Sequence, residues 1–204
     1  YPVLATLQDD PVKMKKAFRY MLVNTFFVIS ILMAGLVATA KPLILTLIGQ
    51  QWLPSVIFLQ MLAFLGIMVP LNSMNINILN VVGRSDLYMK LQFVVQALAI
   101  PNIFVGVFFG IKALIVGMIV ISLVGYVIFN HESYKVLNYS IREQIKDVLP
   151  SSIVACFMGL IVFMVGYMSD YHYSITLMIQ IITGMLIITS AGELLGSGAD
   201  GSGS

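Results

Sequence analysis

Long uncharged segments dominate this chain, and the longest runs from Pro42 to Gly83 without a single charged side chain. A helix rises about 1.5 Å per residue, so about 20 residues reach the ~30 Å of a bilayer's hydrocarbon core. The longest run is therefore long enough for one full span after a turn at 49–54. Five shorter uncharged runs accompany it, at 20–40, 91–111, 113–130, 148–169 and 171–192.

The composition fits a membrane protein. Of the 204 residues, 59% are hydrophobic and 10% are charged, whereas soluble domains carry about 25% charged residues. Runs of this length exclude the ~10-residue alternating strands of a transmembrane barrel, because lipid requires helices or closed barrels. We expect an all-α polytopic membrane protein with six spans, at about 20–40, 56–82, 88–109, 112–129, 150–168 and 173–191.

The basic residues predict the orientation. Lys41 and Lys112 fall on one side of the predicted spans, whereas the other nine Lys and Arg fall on the opposite side. Cytoplasmic loops carry the excess of positive charge, so both ends of the chain should face the cytoplasm. The formal net charge of +2 then reflects topology, and we expect no nucleic-acid partner. The nine residues are Lys13, Lys15, Lys16, Arg19, Arg84, Lys90, Lys135, Arg142 and Lys146.

The domain organisation predicted is a cytoplasmic lead-in (1–19), a six-helix bundle (20–192) and a flexible Gly/Ser tail (193–204). The tail is typical of a linker or a remnant of cloning. The chain begins at Tyr1 without an initiator Met, so we expect it to be part of a longer protein.

Within the bundle, 138–149 is expected to form an interfacial amphipathic helix before Pro150. It could act as a lever or lipid contact, or as a simple connector.

Residue patterns that carry catalysis are missing from the predicted spans. Cys156 is the single cysteine, and His131 and His172 are expected on opposite sides of the membrane. A membrane enzyme or proton pump should place an ionisable residue deep in a span, and the acidic residues here fall at edges or in loops. We therefore expect no enzymatic activity, no cofactor and no metal site.

Uncharged polar residues concentrate in the second span. At 100° per residue, Asn72, Asn75 and Asn80 can share a broad face, with Asn77 further round. The functional interpretation is a cavity wall that offers hydrogen bonds to a sugar-like cargo. The structural alternatives are contacts between helices, or satisfaction of the carbonyl groups freed by Pro70.

Five candidates complete the set. Arg84 lies at the predicted cytoplasmic end of the second span, where it is either a phosphate contact or a topology anchor. Gln92 and Gln96 are four residues apart and share a face of the third span. Pro70 and Pro101 are candidate hinge points, although kinks are common in membrane helices.

Three segments carry a resemblance to a known family. The segments Tyr1–Asp10 (YPVLATLQDD), Gly49–Ser55 (GQQWLPS) and Leu71–Leu87 with its GRSDL end resemble motifs of bacterial polysaccharide flippases. These flippases belong to the multidrug/oligosaccharidyl-lipid/polysaccharide exporter superfamily. The order and spacing of the segments are similar to those of the branch that exports O-antigen and colanic acid. The family normally has 12 to 14 helices in two lobes, so the resemblance implies that this chain is the C-terminal lobe only.

The resemblance implies a function in lipopolysaccharide or other polysaccharide biosynthesis at the bacterial inner membrane. The whole protein would flip a polyprenyl-pyrophosphate-linked oligosaccharide by alternating access, with membrane lipid and the missing N-terminal lobe as partners. Asn72, Asn75, Asn80, Arg84, Gln92 and Gln96 would then line the substrate cavity. The alternatives are a lobe of a drug/cation antiporter or peptidoglycan-precursor flippase, and a non-transporting scaffold subunit.

Overall fold

The computed structural model describes residues 11–168 and 173–200, with side chains for 12–168 and 173–187. Within these ranges the regular secondary structure is all helical, joined by short turns. A turn of 3₁₀ helix, Gln50–Ser55, joins the first two helices. The helices are α1 Pro11–Leu47, α2 Val56–Val81, α3 Ser85–Ala97, α4 Ala99–Phe109, α5 Ile111–Leu137, α6 Ile141–Met168 and α7 Tyr173–Asp200.

The expectation of an all-α polytopic membrane protein is confirmed. Five helical stretches are long and apolar enough to cross a bilayer, and the described apolar part of α7, Tyr173–Ile187, is shorter. The third predicted span, 88–109, is divided at Leu98 into α3 and α4. Large apolar side chains remain exposed along the helices, such as Phe108 at 77% and Met168 at 80%. In a bilayer these side chains contact lipid, so they avoid the unfavourable free energy of exposing apolar surface to water.

Two predicted segments differ from the structure. The amphipathic stretch 138–149 is not a separate helix, because α6 runs without a break from Ile141 through Pro150 to Met168. Proline lacks one backbone donor and usually kinks a helix, but here the helix continues on both sides of it. The predicted flexible tail differs in part, since α7 extends to Asp200, while 201–204 lie outside the described residues.

A capping box begins α6, where Ser140 and Glu143 have the S-x-x-E spacing. The Ser140 backbone N–H donates to Glu143 Oε2 at 2.8 Å, and the Glu143 N–H donates to Ser140 Oγ at 3.3 Å. Each side chain thereby satisfies a backbone donor that the first turn leaves unpaired. Asn138 precedes it in the left-handed region, with φ 49°, and ends α5. This short connection fixes the direction in which α6 leaves α5.

Helix α1 lies at the centre of the bundle. It packs against α2, α6 and α7, while α2 packs on α5 and α5 packs on α4. One apolar cluster joins the start of α1 to the end of α2 through Phe18, Leu22 and Ile78, all at 0% exposure. A second cluster joins the middle of α1 to α6 through residues such as Ile31 and Met158. The bundle therefore places the C-terminal half of α2 against both α1 and α5.

Glycines allow the outer helices to pack closely. A Cβ on Gly117 of α5 would lie 1.7 Å from Asn102 Oδ1, and one on Gly166 of α6 would lie 2.0 Å from Gln180 Nε2. Asn102 Nδ2 donates to the Leu114 carbonyl at 3.1 Å, and Gln180 Nε2 donates to the Val162 carbonyl at 2.9 Å. Each hairpin, α4–α5 and α6–α7, is thus held by one amide lying on the backbone of its neighbour.

The basic residues separate towards the two ends of the bundle as the topology requires. Lys15 Nζ donates to the Asn138 carbonyl at 2.6 Å, which places the start of α1 beside the α5–α6 connection. Lys41 and Lys112 line a common groove with Pro54 at the other end. The charge pattern therefore corresponds to a spatial separation, on which the predicted orientation, with the Lys15 end in the cytoplasm, depends.

We expect cysteine labelling to reproduce this orientation. On a Cys156→Ser background, a cysteine at the exposed position Gln51 should react with an impermeant maleimide in intact cells. A cysteine at exposed Lys135 should react only after permeabilisation, which serves as the control for both positions. Labelling at position 135 in intact cells would show that the orientation is inverted.

Candidate functional site

Buried amides join three helices near one end of the bundle. Asn75 of α2 and Gln144 of α6 are both 0% exposed. Asn75 Nδ2 donates to Gln144 Oε1, and Gln144 Nε2 donates to Asn75 Oδ1, both at 3.4 Å. Tyr126 and Asn130 of α5 complete the set: the Tyr126 hydroxyl donates to Gln144 Oε1 at 2.9 Å, and Asn130 Nδ2 donates to Asn75 Oδ1 at 3.4 Å.

These four residues form what we call the amide network. Since each member is buried, their polar atoms depend on one another, and a member left without a partner would be destabilising. Asn75 also donates to the Leu71 carbonyl of its own helix at 2.8 Å. The candidate cavity residue Asn75 therefore contacts protein on every polar atom, as the structural alternative of contacts between helices predicts. Sequence reasoning missed Gln144, Tyr126 and Asn130.

Asn72 also makes contacts between helices. Its Nδ2 lies 3.1 Å from Ser122 Oγ of α5 and 3.2 Å from the Met68 carbonyl. Pro70 frees the carbonyl of Gly66, four residues earlier, so Asn72 does not satisfy the group that the proline releases. Asn72 is half-buried and lies next to the α2–α5 contact.

A different face of α2 is left open. Ser73 is exposed, and Asn77 and Asn80 are half-buried. The spacing of four and then three residues places them within about 60° of one another around the helix. We call these three residues the open polar face. The predicted grouping of Asn72, Asn75 and Asn80 is thus divided, with Asn80 joined instead by Asn77 and Ser73. The i, i+4, i+7 spacing was the signal for this face.

Arg84 follows directly on the end of α2. The Arg84 N–H donates to the Leu79 carbonyl at 2.9 Å and the Gly83 N–H to the Asn80 carbonyl at 3.2 Å. With Gly83 at φ 73°, these bonds form a Schellman motif that stops the helix. The Arg84 side chain is exposed, four residues after Asn80 of the open polar face. These backbone bonds therefore fix the position of Arg84 relative to the end of α2.

Gln92 and Gln96 lie apart from the amide network. They line a shallow surface groove of about 350 Å³ along α3, together with Tyr88, Met89 and Phe93. Gln92 is half-buried and Gln96 is exposed. The predicted shared face of the two glutamines is therefore present, but it lies on the outer helix rather than beside Asn75.

The two candidate hinges differ. Pro70 is buried within the continuous helix α2. Pro101 lies in the first turn of α4, three residues after the break at Leu98, where the Leu98 N–H donates to the Val95 carbonyl at 3.2 Å. A proline disfavours helical geometry in the residue before it and leaves a carbonyl one turn earlier unpaired. Pro101 thus accompanies an interruption of the helix, whereas Pro70 does not.

Taken together, the fold and these sites define an all-α polytopic membrane protein with a buried amide network and a polar face on α2. Residues 1–57 match the model of a family described as "Polysaccharide biosynthesis protein". The match covers 57 of the 204 residues and includes two of the three segments that carry the flippase resemblance. It supports a connection with polysaccharide biosynthesis. No curated protein and no solved structure shows a significant match to the chain.

Proposed function

We propose that this chain is the C-terminal lobe of a two-lobe flippase in the bacterial cytoplasmic membrane. Its cargo is a polyprenyl-pyrophosphate-linked oligosaccharide, which the two lobes move between leaflets by alternating access. The observation that carries the proposal is the open polar face of α2, in a chain whose residues 1–57 match a polysaccharide biosynthesis family. No bond changes in the cargo, so the function requires neither catalytic residues nor a cofactor.

The open polar face needs a polar partner. Along the same line of α2, Leu62 and Val69 are exposed at 46% and 55%, so this part of the face suits lipid. The line becomes polar from Ser73 onward. Amides facing hydrocarbon are unfavourable, and in membrane proteins they face another helix or a water-filled cavity. A second lobe set against this half of α2 would enclose such a cavity.

The polar half of α2 suits the proposed cargo. Amide side chains both donate and accept hydrogen bonds, which matches the hydroxyl groups of a sugar. The exposed Arg84 at the end of the helix can form a charge-assisted bond to a pyrophosphate. In this arrangement the sugar meets Asn77 and Asn80, and Arg84 meets the phosphates at the cytoplasmic mouth. The role of the amides does not depend on this contact, and Arg84 would otherwise serve as a topology anchor.

One observation favours a different function. The amide network buries Asn75 in contacts with protein, as expected for a non-transporting scaffold subunit. A lobe of a drug/cation antiporter or of a peptidoglycan-precursor flippase would share the same architecture. The antiporter would require an ionisable residue deep in a span, and the acidic residues Asp86, Glu132 and Asp147 lie near helix ends.

The test compares two faces of one helix in the intact two-lobe protein. Asn77→Leu and Asn80→Leu should each lower glycolipid export per molecule by about two- to tenfold, the effect of losing one hydrogen bond of roughly 0.5–1.5 kcal/mol. Asn75→Leu, the matched control, should instead lower the amount of folded protein. Export is measured by surface glycan and protein by immunoblot.

The transport proposal fails if the Asn77 and Asn80 variants export normally per molecule. It also fails if they behave like Asn75→Leu, with protein levels reduced and export per molecule unchanged. Either result would favour the scaffold function.

A further inference from the structure

A basic groove lies between α1 and α6, away from the open polar face of α2. Its volume is about 440 Å³. Lys16 and Arg19 of α1 and Lys146 of α6 line it, with Asp147 as the acidic member. Three cations against one carboxylate leave a formal charge of +2 in the groove. The groove is therefore suited to an anion.

The single carboxylate is already occupied. Arg19 forms an ion pair with Asp147 Oδ1, and the Tyr139 hydroxyl donates to Asp147 Oδ2 at 2.5 Å. Tyr139 is 1% exposed, and its burial together with this bond raises the pKa of the hydroxyl, so Tyr139 remains a donor at physiological pH. Asp147 thus serves to hold Arg19 in place.

Two lysines remain for a ligand. Lys16 and Lys146 are exposed, and neither forms an ion pair or hydrogen bond with the described part of the chain. They approach the groove from different helices, so an anion between them would contact both. Asn24, also in the groove and exposed, adds an amide donor about two turns further along α1.

The position of the groove identifies the kind of anion. Lys16 and Arg19 immediately precede the apolar part of α1, whereas Tyr20, Val23 and Pro150 form an apolar wall that leads into the bilayer. Exposed Ile153, at 61%, continues this wall one turn along α6. Cations at the headgroup level above an apolar wall match the two parts of a phospholipid, and basic pockets between helices bind anionic headgroups.

We propose that the groove between α1 and α6 binds an anionic phospholipid, with Lys16 and Lys146 contacting its phosphate and Tyr20 and Pro150 contacting its acyl chain. This site is separate from the proposed transport path along α2. The lipid would also bridge the start of α1 and α6, next to the Lys15–Glu143 ion pair at 3.3 Å.

Tryptophan quenching at the groove tests the proposal. Trp52 is the single tryptophan, so a Trp52→Phe/Tyr20→Trp protein reports from the groove wall alone. Purified protein in nanodiscs is measured with brominated phosphatidylglycerol and with brominated phosphatidylcholine. Each lysine near a headgroup contributes about fivefold in affinity, so we expect an anionic-lipid preference of up to about 25-fold at low salt. Added salt should reduce it.

The matched controls separate the groove from net charge. Lys16→Gln/Lys146→Gln should abolish the preference, whereas Lys90→Gln/Arg142→Gln, which removes two exposed cations at the same end of the bundle, should retain it. Circular dichroism and size exclusion establish that each variant is folded.

Equal quenching by the two lipids, or equal loss in both double variants, would overturn the proposal. Preference for a brominated polyprenyl phosphate over both phospholipids would also overturn it, since the groove would then hold cargo. Displacement of the lipid by millimolar glycerol phosphate would likewise contradict a lipid site and indicate a site for soluble phosphate.

Discussion

Gln144→Leu is expected to destabilise the bundle by about 1–3 kcal/mol, the usual effect of leaving a buried polar group without its partner. Leucine is close to glutamine in size, so the change leaves little cavity. It removes the acceptor of the Tyr126 hydroxyl and one partner of Asn75. Both residues are buried, and neither can turn to water without opening the contact of α2, α5 and α6.

Unfolding in mixed detergent micelles, followed by circular dichroism, measures this effect. The control is Gln92→Leu on α3, where the half-buried side chain lies outside the amide network; we expect a change within about 0.5 kcal/mol. The double variant Asn75→Leu/Gln144→Leu should be less destabilised than the sum of the two single variants, because each single change strands atoms that the double change removes. Additive effects would mean that the two amides do not interact.

The helices were predictable because charge and apolar length determine them directly. The second span was predicted as 56–82 and α2 is Val56–Val81, since its ends coincide with a turn and a glycine. The capping box at Ser140 was predictable from the S-x-x-E spacing, because each of its bonds joins residues three apart. In contrast, Pro150 did not end a helix. Packing of α6 against α1, which no local pattern encodes, maintains the helix through it.

The amide network was harder to predict. Asn75 and Gln144 are 69 positions apart, and their contact depends on how α2, α5 and α6 cross. Gln144 lies at the edge of the apolar stripe of 138–149, about 40° from Val148 around the helix, and this pattern alone does not show that it is covered. The structure places it at 0% exposure. Helical periodicity limits which residues share a face, but only packing decides which face is covered, and this distinguishes Asn75 from Asn80.

The largest functional effect is expected when the chain is expressed alone. Alternating access requires two bundles that move against each other around a site at their interface. Helices α1–α7 supply one wall, with Ser73, Asn77 and Asn80 left open, so this chain alone should restore no glycan export in a flippase-deficient strain. Co-expression with the N-terminal lobe that the proposal requires should restore export.

Surface glycan staining measures the outcome, with immunoblots to match expression of the chain in both strains. An Asn77→Leu/Asn80→Leu chain is the matched control for the rescue, because it presents the same bundle without the amides. If the lobes assemble around the open polar face, this control should be inserted in the membrane and should rescue poorly. Full export by the unmodified chain alone, at normal expression, would contradict the two-lobe mechanism, because one bundle would then suffice to move the cargo.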